Sequence, residues 1–434
     1  MGIPAEKRRA VEEVAALIRP RDSLAIPLGP GQPPALLSAL GERDDWQDLQ
    51  VFSALLMGLY PLFTRSGVRM LSGFFGPVER GLVASGNRVE FVPADFRRFA
   101  RLLELLQPRV VATAVAPPDA QGHMSLSLHA GAFVEEMHRC ARDPERLLVA
   151  EVNPNLPRTL GIPPDDPHWL TVDEVDLIVE AETPLLALAE AEPTQVERAI
   201  AAHVRAFIPD GATLQTGIGG IPSQVVSELA QGSGGDYGIH SEMFTTGLMR
   251  LHRAGKVSNQ RKGQYEGVSV CTFAAGSQEL YSWLDGCREV RFLPVDQVND
   301  PSRIAANRNM ICINGALAVD LGGQICADTL GRRQYSGIGG HEDFTAGPGL
   351  ELSDRSLVCL PSVATPGGRA ISRIVSSLEP GTSVTTPRHQ VDVIVTEYGA
   401  AELQGRTVGE RARALAAIAH PDFRDELELA AKGL

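Results

Sequence analysis

No C-x-x-C pair occurs in this sequence, and none of its six cysteines falls at a Cys/His spacing suited to zinc, so neither a metal knuckle nor a dithiol redox centre is expected. Cys271, Cys312 and Cys359 each lie in an apolar, strand-like run and read as buried thiols. Lysine is scarce: Lys7, Lys256, Lys262 and Lys432 are the only four, and the net charge is −13. Nucleic acid is thereby excluded as the main partner, because a phosphate backbone calls for a basic surface. An acidic shell still permits an anionic ligand, since a local cluster can reverse the field inside a cleft. No apolar run approaches the roughly 18–20 residues that span a bilayer. The stretch 1–18 lacks the apolar core of a signal peptide and reads as a polar, amphipathic helix. A cytoplasmic protein with no membrane partner is the expectation.

What is present is ordinary globular composition in a long chain. At 434 residues, one core is too small a description, and two domains are expected. Short apolar runs (23–27, 110–115, 147–152, 268–273, 310–313, 356–360 and 391–396) alternate with helical patterns such as 96–106, 195–206 and 222–229. This alternation predicts an α/β protein built from open layers with mostly parallel sheets. A boundary is expected in 184–193, dividing an N-terminal domain, 1–190, from a C-terminal one, 191–434. Just beyond it, Thr194 is placed to cap a helix with Glu197 as capping-box partner.

Two segments carry candidate chemistry. Residues 211–229 read as a strand, a glycine turn and an amphipathic helix, with Pro222 at the helix start. Gly217, Gly219 and Gly220 allow close approach of a ligand to the backbone, and N–H groups at a helix start suit an anion or a developing oxyanion. The same turn also serves as a plain strand-to-helix connection. It is neither G-x-G-x-x-G nor a phosphate-binding P-loop, which weakens a nicotinamide dehydrogenase reading. The second segment, 238–253, predicts a strand over 239–243 and a helix from Phe244 to Arg253. Glu242 then stands near the carboxyl end of a strand, where open α/β sheets bind ligands. As a residue type in a pattern, Glu242 is equally a helix cap, a partner for Arg250 or Arg253, a solvated acid, or a nucleophile that attacks an activated acyl group.

The pair LQTGIGGIP and GIHSEMF resembles the signature of the acetyl-CoA hydrolase/transferase family, and of its 4-hydroxybutyrate CoA-transferase group in particular. The resemblance continues through FAAGSQELY (273–281), PVDQVNDP (294–301), ADTLGRRQYSGIGGHEDF (327–344), ISRIV (371–375), VTEYGAAEL (395–403) and ERARALAAIAHPDFRDEL (410–427). It is looser in APPDAQGHMSLS (116–127) and EVNPNLPRT (151–159), so it covers nearly the whole chain in order. It implies two open α/β domains of CoA-transferase type and a glutamyl nucleophile at Glu242. It implies contacts to coenzyme A at Gly217, Ile218, Gly219, Gly220, Ile221, Asn299, Leu317 and Gly340, with backbone N–H groups of the turn and of Gly340 forming an oxyanion hole.

The implied reaction is ping-pong transfer of coenzyme A between a short-chain acyl-CoA and a small carboxylic acid through a glutamyl-CoA thioester. Coenzyme A is a substrate, and no metal or permanently bound cofactor is implied. The resemblance also implies a homodimer or a dimer of dimers. The carboxylate must react as an anion, so polar surroundings are expected for it. His240 shares a strand face with Glu242 in this reading and is expected to be structural. Arg332, Arg333 and Arg373 are candidates for phosphate or carboxylate contacts, or for surface ion pairs. His341-Glu342 departs from the family pattern; it would alter the acceptor pocket, favour hydrolysis by positioning water, or point away from the cleft. An acyl-CoA hydrolase and a non-catalytic acyl-CoA-binding protein are the competing readings.

Overall fold

A computed structural model of the chain describes residues 2–189, 191–348 and 351–434. The chain divides into two compact units, Met1–Ala189 with Val270–Val298, and Glu190–Ser269 with Asn299–Leu434.

The first unit is built on seven parallel strands: β1 (Arg21–Ala25), β2 (Asp48–Ser53), β3 (Val68–Ser72), β4 (Val89–Phe91), β5 (Val110–Val115), β6 (Leu147–Val152) and β7 (Leu177–Glu180). They lie in the order β4-β3-β2-β1-β5-β6-β7. Every residue of β5 is buried, which is why its sequence, VVATAV, shows no polar alternation. Leu24, Val51, Met70, Val110 and Val149 from these strands pack with Leu36, Leu37 and Leu40 in one core.

The second unit holds a six-stranded sheet: β8 (Thr213–Thr216), β9 (Gly238–Ile239), β10 (Met310–Gly315), β11 (Arg355–Cys359), β12 (Val393–Thr396) and β13 (Gly399–Glu402), in the order β9-β8-β10-β11-β12-β13. All neighbours are parallel except the closing pair β12–β13. The predicted α/β architecture with mostly parallel sheets is what the structure has. Helix α1 (Gln195–Arg205) opens with the expected capping box, in which the Thr194 hydroxyl accepts from the Glu197 N–H and the Glu197 carboxylate accepts from the Thr194 N–H.

Two expectations are revised. A continuous second domain over 191–434 does not match the packing, because Val270–Val298 belongs to the first unit; residue 190 itself lies outside the described residues. The N–H groups of Ala130 and Gly131 donate to the Thr272 carbonyl, that of Val295 donates to Gly131, and that of Phe292 to Leu160. Such backbone pairing between positions far apart in sequence leaves no compositional trace in a linker. For the same reason the run 268–273 is not one strand: it is split into Ser269–Cys271 and Phe273–Ala274, with Thr272 turned to the 130–131 backbone. Among the described residues, no helix is long and apolar enough to cross a membrane.

Candidate active site

Strands β8, β9 and β10 are neighbours, and the chain leaves their carboxyl ends through three of the segments singled out above. Glu242 is not inside a strand. β9 ends at Ile239, and Glu242 occupies a bend before the short extended pair Met243–Phe244. The bend is pinned by Ser241, whose hydroxyl donates to the Met243 carbonyl at 2.9 Å and accepts from the Thr216 N–H at 3.4 Å. His240 is fully buried and its Nδ1 accepts from Asn307 Nδ2 at 3.1 Å, the structural role expected of it. The following helix, α2 (Thr246–Arg253), is capped by the Thr245 hydroxyl, so capping is not what Glu242 does.

The Glu242 carboxylate accepts from Asn299 Nδ2 at 2.6 Å through Oε2. The same Nδ2 donates to Asp343 Oδ2 at 3.1 Å, and Asp343 is buried. Gly340 lies directly against this group: a Cβ there would collide with Glu242 Oε2 and Asn299 Nδ2. Glycine at 340 is therefore required by close approach, not by its φ of −91°. Glu242 keeps part of its surface accessible, yet protein surrounds the carboxylate closely enough to disfavour its charge. Burial, aided by the nearby Asp343 charge and opposed by the Asn299 hydrogen bond, raises its pKa to about 8. The polar surroundings expected to keep the carboxylate at its ordinary pKa are thus not found: one amide donor does not offset the desolvation.

The other site residues occupy the neighbouring strand ends. The turn Gly217–Ile221 follows β8 and leads into the helix Gly220–Gln231. Gly219 is at φ +119°, a conformation that favours glycine. The helix begins at Gly220, two residues before Pro222, which still falls within the first turn where a missing N–H goes unneeded. Ile218 is 59% exposed, an apolar side chain presented at the turn. Gly220 packs against the Glu197 carboxylate, leaving no room for a Cβ. Leu317 follows β10, and its N–H donates to the Cys326 carbonyl at 2.8 Å, so that N–H is already engaged. Gly340 and Asn299 therefore meet Glu242 directly, whereas the glycine turn and Leu317 are not hydrogen-bonded to its carboxylate among the described residues.

The departure at His341-Glu342 resolves into a closed chain. His341 Nε2 lies 2.9 Å from Thr386 Oγ1, and that hydroxyl donates to Glu342 Oε2 at 2.9 Å, so His341 is the Nε2–H tautomer. Burial lowers the His341 pKa to about 4, keeping it neutral. Sequence reasoning passed over Asp343, the next residue along; its one available signal was an acid in the first turn of a short helix following the glycines. Arg332 and Arg333 are exposed at the turn of a two-stranded hairpin, and Arg373 is half-buried. Among the described residues, no group of His, Cys, Asp and Glu is arranged to hold a metal.

The family model described as the acetyl-CoA hydrolase/transferase C-terminal domain matches residues 276–431. The 4-hydroxybutyrate coenzyme A transferase of Clostridium kluyveri is 37% identical over 97% of this chain and 96% of its own. The succinyl-CoA:cyclohexane-1-carboxylate CoA transferase of Geobacter metallireducens is 37% identical over 97% of this chain and 94% of its own. The crystal structure of RipA from Yersinia pestis superposes with a TM-score of 0.89 at 35% identity, covering 99% of this chain and 97% of RipA.

Proposed function

Because this chain belongs to the acetyl-CoA hydrolase/transferase family, we propose that it moves coenzyme A between a short-chain acyl-CoA and a small carboxylic acid, with Glu242 as the covalent nucleophile. The observation that carries this is the state of Glu242: a carboxylate at the strand ends, poorly solvated, with one amide donor and a pKa raised to about 8. A carboxylate with a raised pKa is the stronger nucleophile once ionised.

In the proposed reaction the Glu242 carboxylate attacks the thioester carbonyl, and the C–S bond breaks to release the coenzyme A thiolate and an acyl-glutamyl anhydride. The thiolate attacks the glutamyl carbonyl of the anhydride, which releases the donor acid as carboxylate and leaves a glutamyl-CoA thioester. An acceptor carboxylate then runs the same steps in reverse, regenerating Glu242. Each addition passes through an oxyanion, and Asn299 Nδ2 and the N–H groups of the glycine segments are the donors proposed to meet it.

Transfer is favoured over hydrolysis by the engagement of His341 and Glu342 with Thr386. Neither side chain is presented as a spare base to activate water. The test is intact and peptide mass spectrometry after incubation with acetyl-CoA or butyryl-CoA. A coenzyme A adduct on Glu242 is expected, and acetate should multiply acyl exchange without a matching release of free thiol. No adduct, with unchanged turnover in Glu242→Ala, removes the covalent reading. A homodimer or dimer of dimers is part of the proposal, to be checked by sedimentation velocity.

A further inference from the structure

The Asn299 amide makes two hydrogen bonds from one nitrogen. Nδ2 donates to Glu242 Oε2 at 2.6 Å and to Asp343 Oδ2 at 3.1 Å. The opposite end of the amide, Oδ1, is buried with no hydrogen-bond partner among the described residues. An asparagine amide is nearly symmetric in shape, so rotation by a half-turn is sterically cheap and its direction is set by its partners. With Glu242 as sole partner, both directions are available: Nδ2 donates to the carboxylate, or the protonated carboxyl donates to Oδ1. The second holds the nucleophile in its unreactive form. An unmet buried acceptor such as Oδ1 adds a reason to turn.

We propose that Asp343 is a positioning residue that holds the Asn299 amide with Nδ2 toward Glu242. A half-turn would set Oδ1 against the Asp343 carboxylate as well as against Glu242, acceptor facing acceptor. Asp343 is placed to do this by its position on a hydrogen-bonded helical turn. It lies in the first turn of the helix His341–Ala346, where the Phe344 N–H donates to the Gly340 carbonyl and the Gly347 N–H to the Asp343 carbonyl. The arrangement has a consequence through the reaction, and here it rests on the glutamyl-thioester reading. When Glu242 is acylated it ceases to be an anion and its carbonyl is a weaker acceptor for Asn299, whereas the Asp343 carboxylate keeps its hold on Nδ2. Nδ2 therefore remains aimed at the position where each tetrahedral intermediate develops negative charge.

The experiment is a double-mutant cycle on the full-length protein, read as kcat and as KM for the acyl-CoA, with thermal melting on every variant. Asp343→Asn is nearly isosteric and presents an amide that can both donate and accept, so it permits either direction of Asn299. It is expected to lower kcat about 30-fold while KM stays within about 3-fold, since the group acts on the transition state. In an Asn299→Ala background there is no amide left to orient, and Asp343→Asn should then cost less than about 2-fold. Equal losses in both backgrounds, or wild-type kcat in Asp343→Asn, overturn the proposal. If Asp343→Asn fails to fold, Asp343→Ser carries the same cycle with the same two outcomes. The adduct measurement on the unmutated protein keeps the two ideas apart. Absence of the adduct overturns the covalent reading and the later-step role of Asp343 with it; an adduct together with an additive cycle overturns this inference alone.

Discussion

Three glutamates, Glu79, Glu151 and Glu242, have their charge disfavoured by the protein around them: Glu79 and Glu151 are fully buried and Glu242 partly so, and they differ in how that charge is met. Glu79 accepts from the N–H groups of Leu56 and Gly76 at 2.7 and 2.9 Å, and burial raises its pKa only to about 6. Glu151, on β6, accepts from the N–H groups of Ala35 and Leu36 at the start of the helix Pro34–Gly41, and its pKa is raised to about 7. Glu242 has a single side-chain donor and a second acid close by, and its pKa reaches about 8. Two backbone donors turn a buried acid into a structural staple. One donor shared with another carboxylate leaves it basic and available to react.

The sharpest way to break this comparison is to neutralise the acids in turn. Glu242→Gln should lower kcat for transfer by at least about 10³-fold, the scale of losing a covalent nucleophile. Glu151→Gln should leave kcat within about 2-fold in the same assay, because it touches no reacting atom. Similar losses in both would mean that donor count does not separate the two roles.

Next in size is Gly340→Ala, whose Cβ must displace the Glu242 carboxylate or the Asn299 amide. A loss of about 10²-fold in kcat is expected, in line with a misplacement near 1 Å. Steady-state rates with the melting temperature unchanged would show that the effect is local.

The pH profile sharpens the comparison further. Glu242 reacts as the anion and its pKa is raised to about 8. Below that value kcat/KM for the acyl-CoA should fall about tenfold per pH unit, and above it should level off. A limb near the ordinary carboxylate range would contradict the desolvated site.

Smallest are the stability effects. Glu151→Ala leaves two helix-start N–H groups unmet and should cost about 1–3 kcal/mol in urea unfolding. For Glu242 the sign runs the other way. Its folded pKa lies above that of the unfolded chain, so its stabilising share is complete below about pH 4.3 and is lost as pH rises through about 8. Glu242→Gln should therefore be more stable than the unmutated protein at pH 9, by on the order of 1–2 kcal/mol given its partial exposure, and should match it near pH 4. Thermal melts at the two pH values check this.

Much of this molecule was legible in one dimension. The buried strands at 110–115 and 147–152 match their runs residue for residue, and the Thr194/Glu197 capping box forms as spelled. The signature segments led to Glu242, Asn299 and Gly340, which the structure brings into contact. Glu242 was expected within a strand and lies in a bend, because Ser241 turns the chain back to the Thr216 and Met243 backbone. His341 and Glu342 drew notice as a departure, but their partner is Thr386, more than forty positions away. Asp343 drew none.

Residue type, period and capping chemistry act over a few neighbouring positions, so the sequence by itself determined the α/β layering, the glycine turn and the acid placed at a strand end. Which acid would be short of donors was decided only by the fold. Asn299 is 57 positions from Glu242 and 44 from Asp343. Hydrogen-bond supply and neighbouring charge depend on what surrounds a carboxylate in space, and it is those two quantities that separate Glu242 from Glu79 and Glu151.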